Sequence, residues 1–381
     1  MDELVAWLVG AEARPLRADQ LLEAVAERLQ SIAGVWRLST GLRTMHPEVA
    51  VVSIWWTADG GLRTEDVLHE QVPSAVGRGP IPLLAASGED HLRIRLDGAR
   101  SELPLLATLQ DQGATDYVLL HLPGARDHAL SLATRAPGGF TDEQLAAFEA
   151  LRLPLSLRLD LSLQKHVTWS LLRSYLGNDA ARHVLHGKYR RLDGERRRVV
   201  VFTADLRGFT HRVDHRDLDE VLADLDRYFE CVSDPWMDAG GEVLKFVGDA
   251  VLGVMPLGDD AGERASVAQR ALAAARQAFE GLQEVSDALP EGRLPLTMGF
   301  VLHAGEVAYG NIGSRRRVDF TVIGSCVNEA ARMEKLTKEL APLVLSEAFV
   351  AELGTVEGLR DLGAHGLRGV TEPVRMYTPA T

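Results

Sequence analysis

Asp205 closes the apolar run Val199-Val200-Val201-Phe202-Thr203-Ala204 and opens the polar break Leu206-Arg207-Gly208-Phe209-Thr210. Asp249 sits in Lys245-Phe246-Val247-Gly248-Asp249-Ala250, which reads as a hairpin. Carboxylates at the ends of two adjacent strands can share hard cations, and Mg²⁺ favours one or two carboxylates plus a substrate's own phosphates over an all-protein cage. A two-metal arrangement of this kind polarises an attacking oxygen and neutralises a leaving phosphate. The backbone from Leu206 to Thr210 can present N–H groups to phosphates at a helix start. Asn328 and Arg332 stand four apart in a segment that reads as a helix, hence on one face. Taken singly, each aspartate is an ordinary turn residue, and Asn328 and Arg332 read as a cap and a surface ion pair with Glu329 or Glu334. It is the whole set, in this order, that points to phosphate chemistry.

The remaining composition narrows the class. With 381 residues, 46% hydrophobic and 25% charged, the chain has the balance of a soluble protein long enough for two domains. No apolar run approaches the roughly 18–20 residues that span a bilayer. The acidic N-terminus lacks the features of a signal peptide, so a cytoplasmic protein is expected. Two cysteines, Cys231 and Cys326, exclude a disulfide scaffold and a Cys-rich zinc site. A net charge of −13 argues against a nucleic-acid surface. The basic run Lys188 to Arg198 reads as a solvated junction. The twelve histidines show no zinc-helix spacing, and His183 with His186 reads as a surface pair on a helix.

Elements must hold these groups in place, and two regions separate near residue 190. The first begins with a helix at Ala18–Ala33, followed by strands at Val49–Ala58, His91–Leu96 and Tyr117–Leu122. A second helix opens at Thr141 as N-cap and runs, with a break at Pro154, into the amphipathic stretch Leu155–Leu185. Leu171, Leu172, Tyr175 and Leu176 suit either a helix-dimer seam or the domain's own core. The second region reads as a buried strand before Asp205, a helix carrying Val221, Leu225 and Tyr228, and a hairpin Glu242–Phe246 with Ala250–Met255. A helix Ala265–Leu282, strands Leu296–Leu302 and Phe320–Ile323, and a helix Cys326–Leu340 follow.

The pattern F-x-x-D-x-x-G-F-T, then K-F-x-G-D, then Thr321-Val322-Ile323-Gly324 leading to Val327-Asn328-Glu329-Ala330-Ala331-Arg332, resembles class III nucleotide cyclases over residues 197–379. That resemblance implies an α+β fold, with a ferredoxin-like, palm-type catalytic domain (βαββαβ) over residues 197–381. Residues 1–165 resemble a GAF-type α/β sensory domain, and 166–196 form a helical linker. Carried over to this sequence, the resemblance makes Asp205, Asp249 and the Leu206 carbonyl the ligands of two Mg²⁺ or Mn²⁺ ions per site. Lys245 matches the purine-selecting position, where an ammonium suits the adenine N1 acceptor and a carboxylate would suit guanine. Thr321 matches the second purine position, often Asp in the family; a hydroxyl there can accept from the adenine amine.

Asn328 orients the ribose, and Arg332 stabilises charge on the α-phosphate. Phe209 and Thr210 belong to the phosphate-facing segment. Either Arg316 or Arg317 faces the triphosphate, and Arg368 matches a basic position near the terminal phosphates. The family pairs two catalytic domains head to tail, so a homodimer with shared sites is expected, taking ATP and no nucleic acid or membrane. A small-molecule effector of the N-terminal domain is also expected. Cyclisation of another nucleotide, such as GTP, and a catalytically silent nucleotide-binding regulator are the other readings.

Overall fold

Leu38, Thr40 and Leu42 alternate with Arg37, Ser39 and Gly41 along the first strand, so the two faces of the sheet they enter differ in kind. The computed structural model describes residues 2–73, 79–124, 128–190, 193–290 and 292–380, apart from the His166 side chain. It divides into two units, Met1–Ser174 and Tyr175–Thr381.

The first unit runs α1 (Asp2–Val9), α2 (Ala18–Ala33), β1 (Arg37–Arg43), β2 (Val49–Thr57), β3 (Gly61–Leu68), α3 (Ile81–Ser87), β4 (His91–Arg95), α4 (Pro104–Asp111), β5 (Asp116–Leu122), β6 (His128–Thr134) and α5 (Asp142–Leu176). Its strands form one antiparallel sheet in the order β3-β2-β1-β6-β5-β4. On one face Leu38, Leu42 and Ile54 meet Val25 and Leu29 of α2 and Phe148, Leu155 and Leu159 of α5. A smaller cluster lies on the other face, with Tyr117 and Leu119 against Leu106 and Leu109 of α4.

Thr141 caps α5 as expected: its Oγ1 accepts from the Gln144 N–H at 3.2 Å, while the Gln144 side chain accepts from the Thr141 N–H at 2.9 Å. The break expected at Pro154 is absent, and α5 continues through it. Proline removes one i→i−4 hydrogen bond, but Leu151, Leu155 and Leu159 are fully buried on both sides of it and hold that stretch to the sheet. The helix stops at Gly177, which has φ 87°. Tyr175 is exposed, and Leu176 packs in the second unit's core beside Ala180.

The second unit runs α6 (Asn178–Leu185), β7 (Gly194–Leu206), α7 (Phe209–His215), α8 (Leu218–Asp238), β8 (Glu242–Val247), β9 (Ala250–Pro256), α9 (Ala261–Asp287), β10 (Met298–Gly313), β11 (Val318–Ile323), α10 (Ser325–Leu336), β12 (Leu343–Ser346), α11 (Glu347–Leu353), β13 (Leu359–His365) and β14 (Val374–Pro379). Strands β10-β7-β9-β8 lie side by side and antiparallel, which with α8 and α9 is the βαββαβ arrangement. The sheet extends through β12, β14 and β13, and β11 hangs on β10 alone. Phe202 and Ala204 of β7 face the α8–α9 core, while Val199 and Val201 face a second core with Ala330 and Met333 of α10.

The segment after Asp205 is tied down from below. Arg212 of α7 and Asp224 of α8 are 2% and 1% exposed and pair at 3.2 Å. Arg293 donates to Asp224 at 2.8 Å, and Arg212 also donates to the Leu294 and Pro295 carbonyls. Removing one partner of a buried ion pair strands the other, so Asp224→Ala should lower stability by about 3–5 kcal/mol. Chemical denaturation of the variant against the parent measures it.

The described part of the basic run is solvated, as expected: Lys188, Arg190, Arg196 and Arg198 are exposed, and Arg196, Arg197 and Arg198 meet Glu306, Asp179 and Glu352, while Arg191 and Leu192 lie outside the described residues. One surface expectation is revised: the His183 ring is largely covered, packing 6.2 Å from that of Tyr309 and 5.7 Å from that of Phe320. His186 remains exposed.

Candidate active site

Two glycines set the backbone around the two aspartates. Gly208, at φ 69°, turns the chain from the end of β7 into α7. Gly248, at φ 64°, is the first central residue of the two-residue loop joining Val247 to Ala250. Primed hairpin turns need positive φ there, which glycine adopts without strain. Asp205 lies opposite Ala250 on β9, so Asp249, one residue earlier, falls beside it. The Asp249 carboxyl is pushed up to about 6, by its burial first and then by the neighbouring Asp205 charge. A buried carboxyl set beside a second carboxylate is a fit for a divalent cation, which removes the repulsion. Among the described residues no three His, Cys, Asp or Glu side chains converge. The candidate donors are therefore two carboxylates, with the Leu206 backbone next in the chain, a hard-oxygen set that substrate phosphates would complete.

Beside the carboxylates stands a pair that sequence reasoning did not assign. Arg207 donates to Glu334 at 3.1 Å and bonds to Thr337. Burial, then the Asp205 charge, raises the Glu334 carboxyl. Arg207 lies inside the same D-L-R-G-F-T segment, but its partner is on α10 and invisible to local pattern. Phe209 packs partly buried on the core and Thr210 is exposed, the first two residues of α7.

Lys245 on β8 donates from Nζ to Asp319 Oδ2 on β11 at 2.7 Å. Thr321, two residues along β11, lies on the same side of the strand and is buried. Sequence reasoning gives Asp319 no role; the structure makes it the partner of Lys245.

Asn328 is exposed on α10, and Arg332 is half-buried one turn on. The expected alternative partners of Arg332 are taken, Glu329 by His303 at 3.2 Å and Glu334 by Arg207. Among the described residues no carboxylate pairs with Arg332, and its guanidinium rests against Gly369, where a Cβ would sit 3.6 Å from Nη1. That contact places Arg332 beside Arg368, which is exposed. Arg315, Arg316 and Arg317 are exposed in the turn before β11, where Ser314 Oγ accepts from the Arg316 and Arg317 N–H groups at 3.3 and 3.1 Å. One chain thus assembles three groups: the carboxylate pair, the lysine with Asp319 and Thr321, and Arg332 with Arg368. Asp205 is registered to Gly299 and Thr321 to Gly310, near opposite ends of β10.

Residues 194–356 match the family model of the adenylate and guanylate cyclase catalytic domain. An uncharacterized protein of Mycobacterium tuberculosis is 33% identical over 220 residues, which is 55% of this chain and 38% of that protein. An adenylate cyclase of Anabaena cylindrica is 31% identical over 164 residues, 42% of this chain and 32% of that protein. The chain therefore spans about two fifths or less of the length of these relatives. A solved bacterial light-regulated adenylyl cyclase is similar at 22% identity and a TM-score of 0.48, covering 63% of this chain and 66% of its own. No helix among the described residues is long and apolar enough to cross a membrane. The three motif blocks lie in order inside residues 194–356, the stretch that matches the adenylate and guanylate cyclase catalytic domain.

Proposed function

We propose that this chain is an adenylate cyclase, converting ATP to 3′,5′-cyclic AMP and pyrophosphate. The observation that carries the choice of base is Lys245, held by Asp319 at 2.7 Å with Thr321 on the same side of the strand. An ammonium offers a donor to adenine N1, where guanine presents an N–H, and a threonine hydroxyl accepts from the adenine amine. Asn328 orients the ribose so that its 3′-oxygen faces the α-phosphorus. Arg332, free of any carboxylate among the described residues, meets the charge that builds on the α-phosphate. Arg368 and one of Arg316 and Arg317 hold the terminal phosphates. Two divalent cations, Mg²⁺ or Mn²⁺, held by Asp205, Asp249 and the Leu206 carbonyl, would lower the charge on the triphosphate and polarise the attacking hydroxyl. The rest of the rate comes from positioning.

The site is read as shared between two copies. The carboxylates and Thr321 hang near opposite ends of β10, Asn328 is exposed, and among the described residues no carboxylate pairs with Arg332. A two-fold pair would bring the carboxylates of one copy to the base, ribose and phosphate residues of the other. Residues 1–165 are read as the sensory part, a GAF-like domain that takes a small-molecule effector, and 166–196 as the connection to the catalytic domain.

Turnover of ATP and of GTP by the full chain, with Mg²⁺ and with Mn²⁺ and with products identified by chromatography, tests the base. Cyclic AMP should exceed cyclic GMP by at least about tenfold at equal substrate, since one mismatched donor–acceptor pair costs about that much. A preference for GTP retires the adenine reading, and no product from either nucleotide retires the enzyme.

A further inference from the structure

The faces of the first unit's sheet are filled very differently. Toward α2 and α5 the strands offer Leu38, Leu42, Ile54, Leu120, Leu130 and Leu132, all buried. The opposite face offers Ser39 and Gly41 from β1, Ser53 from β2, and Ala129 and Ser131 from β6. Small residues at the centre of a sheet leave the layer above unfilled. A cavity of about 600 Å³ lies there, walled by Trp55, Tyr117 and Leu119 and bordered by Ile81 of α3 and Leu105 of α4. That is the size of pocket that takes a small organic ligand.

One strong polar group enters it. Arg37 lines the cavity and donates from Nη1 to Ser39 Oγ at 3.0 Å; no carboxylate pairs with it among the described residues. Ser39 Oγ in turn lies 2.6 Å from Ser131 Oγ. Burial lowers the Arg37 pKa, a trend that the nearby Tyr117 opposes, and burial pushes the Tyr117 phenol up to about 12. A guanidinium carries five N–H donors and stays charged, so a desolvated one with a single neutral acceptor is a ready partner for an anion. Glu65 also lines the cavity, but it is registered to Ser53, which faces Gly41. Gly41 is four residues along β1 from Arg37, about 13 Å at ~3.3 Å per residue. An acid at that distant corner disfavours a ligand charged at both ends, such as a nucleoside triphosphate.

We propose that the first unit binds a small organic monoanion in this cavity, its carboxylate or phosphate on Arg37 and its flat apolar body between Trp55 and Tyr117. The proposal deepens the reading of this unit as the sensory part and rests on it only for the effect on turnover. The test uses the full chain with four probes: benzoate, 2-naphthoate, 2-naphthyl phosphate and the neutral 2-naphthamide. Binding is read by equilibrium dialysis and by the shift in thermal midpoint.

At least one anion should bind with Kd below about 1 mM, and the amide at least about tenfold more weakly, the difference a charge-assisted bond makes. Whichever anion binds tighter separates a carboxylate from a phosphate ligand. Arg37→Gln should erase the preference over the amide and Arg37→Lys should keep part of it. Ser53→Leu, which fills the cavity, should abolish binding of every probe while Arg37 is intact; circular dichroism confirms that each variant is folded. No binding by any anion, an amide that binds equally well, or a preference that survives Arg37→Gln overturns the proposal. An anion that binds as expected yet leaves cyclase turnover unchanged keeps the site and retires the sensory reading.

Discussion

Asp249→Asn should give a protein that is folded, more heat-resistant than its parent without metal, and inactive. The Asp249 carboxyl has an ordinary value of 3.8 and is held at about 6 in the fold, by burial and by Asp205. An acid whose pKa rises on folding binds its proton more tightly in the native state than in the unfolded one. Its ionised form therefore opposes folding. The penalty is absent below 3.8, grows as pH rises toward 6 and is complete above that value. Asparagine keeps the shape and removes the charge, so the gain in thermal midpoint should be full in neutral buffer and vanish toward pH 4, as differential scanning calorimetry across that range would show.

Divalent metal should stabilise the parent and not the variant, because the variant has lost the second carboxylate. Turnover should fall by more than the roughly 10–100-fold that loss of an outer partner costs a metal site. A variant less stable than the parent at neutral pH would contradict the electrostatic account of this pair.

Mixing Asp205→Ala with Arg332→Ala subunits should restore activity that neither has alone. Asp205 belongs to the carboxylate pair and Arg332 to the outward face of α10. If each site takes its carboxylates from one copy and its arginine from the other, a mixed pair holds one site with both mutations and one with neither. Random exchange makes half the pairs mixed, each with one of two sites intact, so a recovery of about a quarter of parental turnover is expected for a two-fold assembly. The readout is cyclic nucleotide formed after co-refolding or long incubation, against each variant alone. Persistent silence in a mixture shown to exchange subunits would place the whole site within one chain.

What the sequence discloses here follows the range of the interaction. The helix Ala18–Ala33 was read to the residue, because its apolar spacing and the Gly34 stop are local. The hairpin carrying Asp249 was equally legible, since a glycine between two apolar runs has few other uses. By contrast, β10 was read only as far as Leu302, yet it continues to Gly313; Gly305 and Gly310 interrupt the pattern, and only its pairing with β7 and β11 keeps it extended. The helix through Pro154 escaped for a related reason: packing overruled a local breaker. In the site, sequence reasoning names only residues carried by a motif, and Asp319 and the Arg207–Glu334 pair lie outside its reach. Each of these contacts joins elements far apart in sequence, 74 residues for Lys245 and Asp319 and 127 for Arg207 and Glu334.

The long ladder between β7 and β10 also bears on how the chain is made. Leu206 pairs with Met298 and Gly194 with Gly310, so the centre of the sheet closes only after the hairpin and the helices between them exist. At a synthesis rate of roughly 5–20 residues per second, β7 waits ~5–20 s for its partner to leave the ribosome. Even once β9 pairs with it, Val199–Phe202 keeps its other edge free until β10 arrives, the kind of apolar segment that invites aggregation. Nascent chains paused between β9 and β10 should therefore be the ones most dependent on a chaperone.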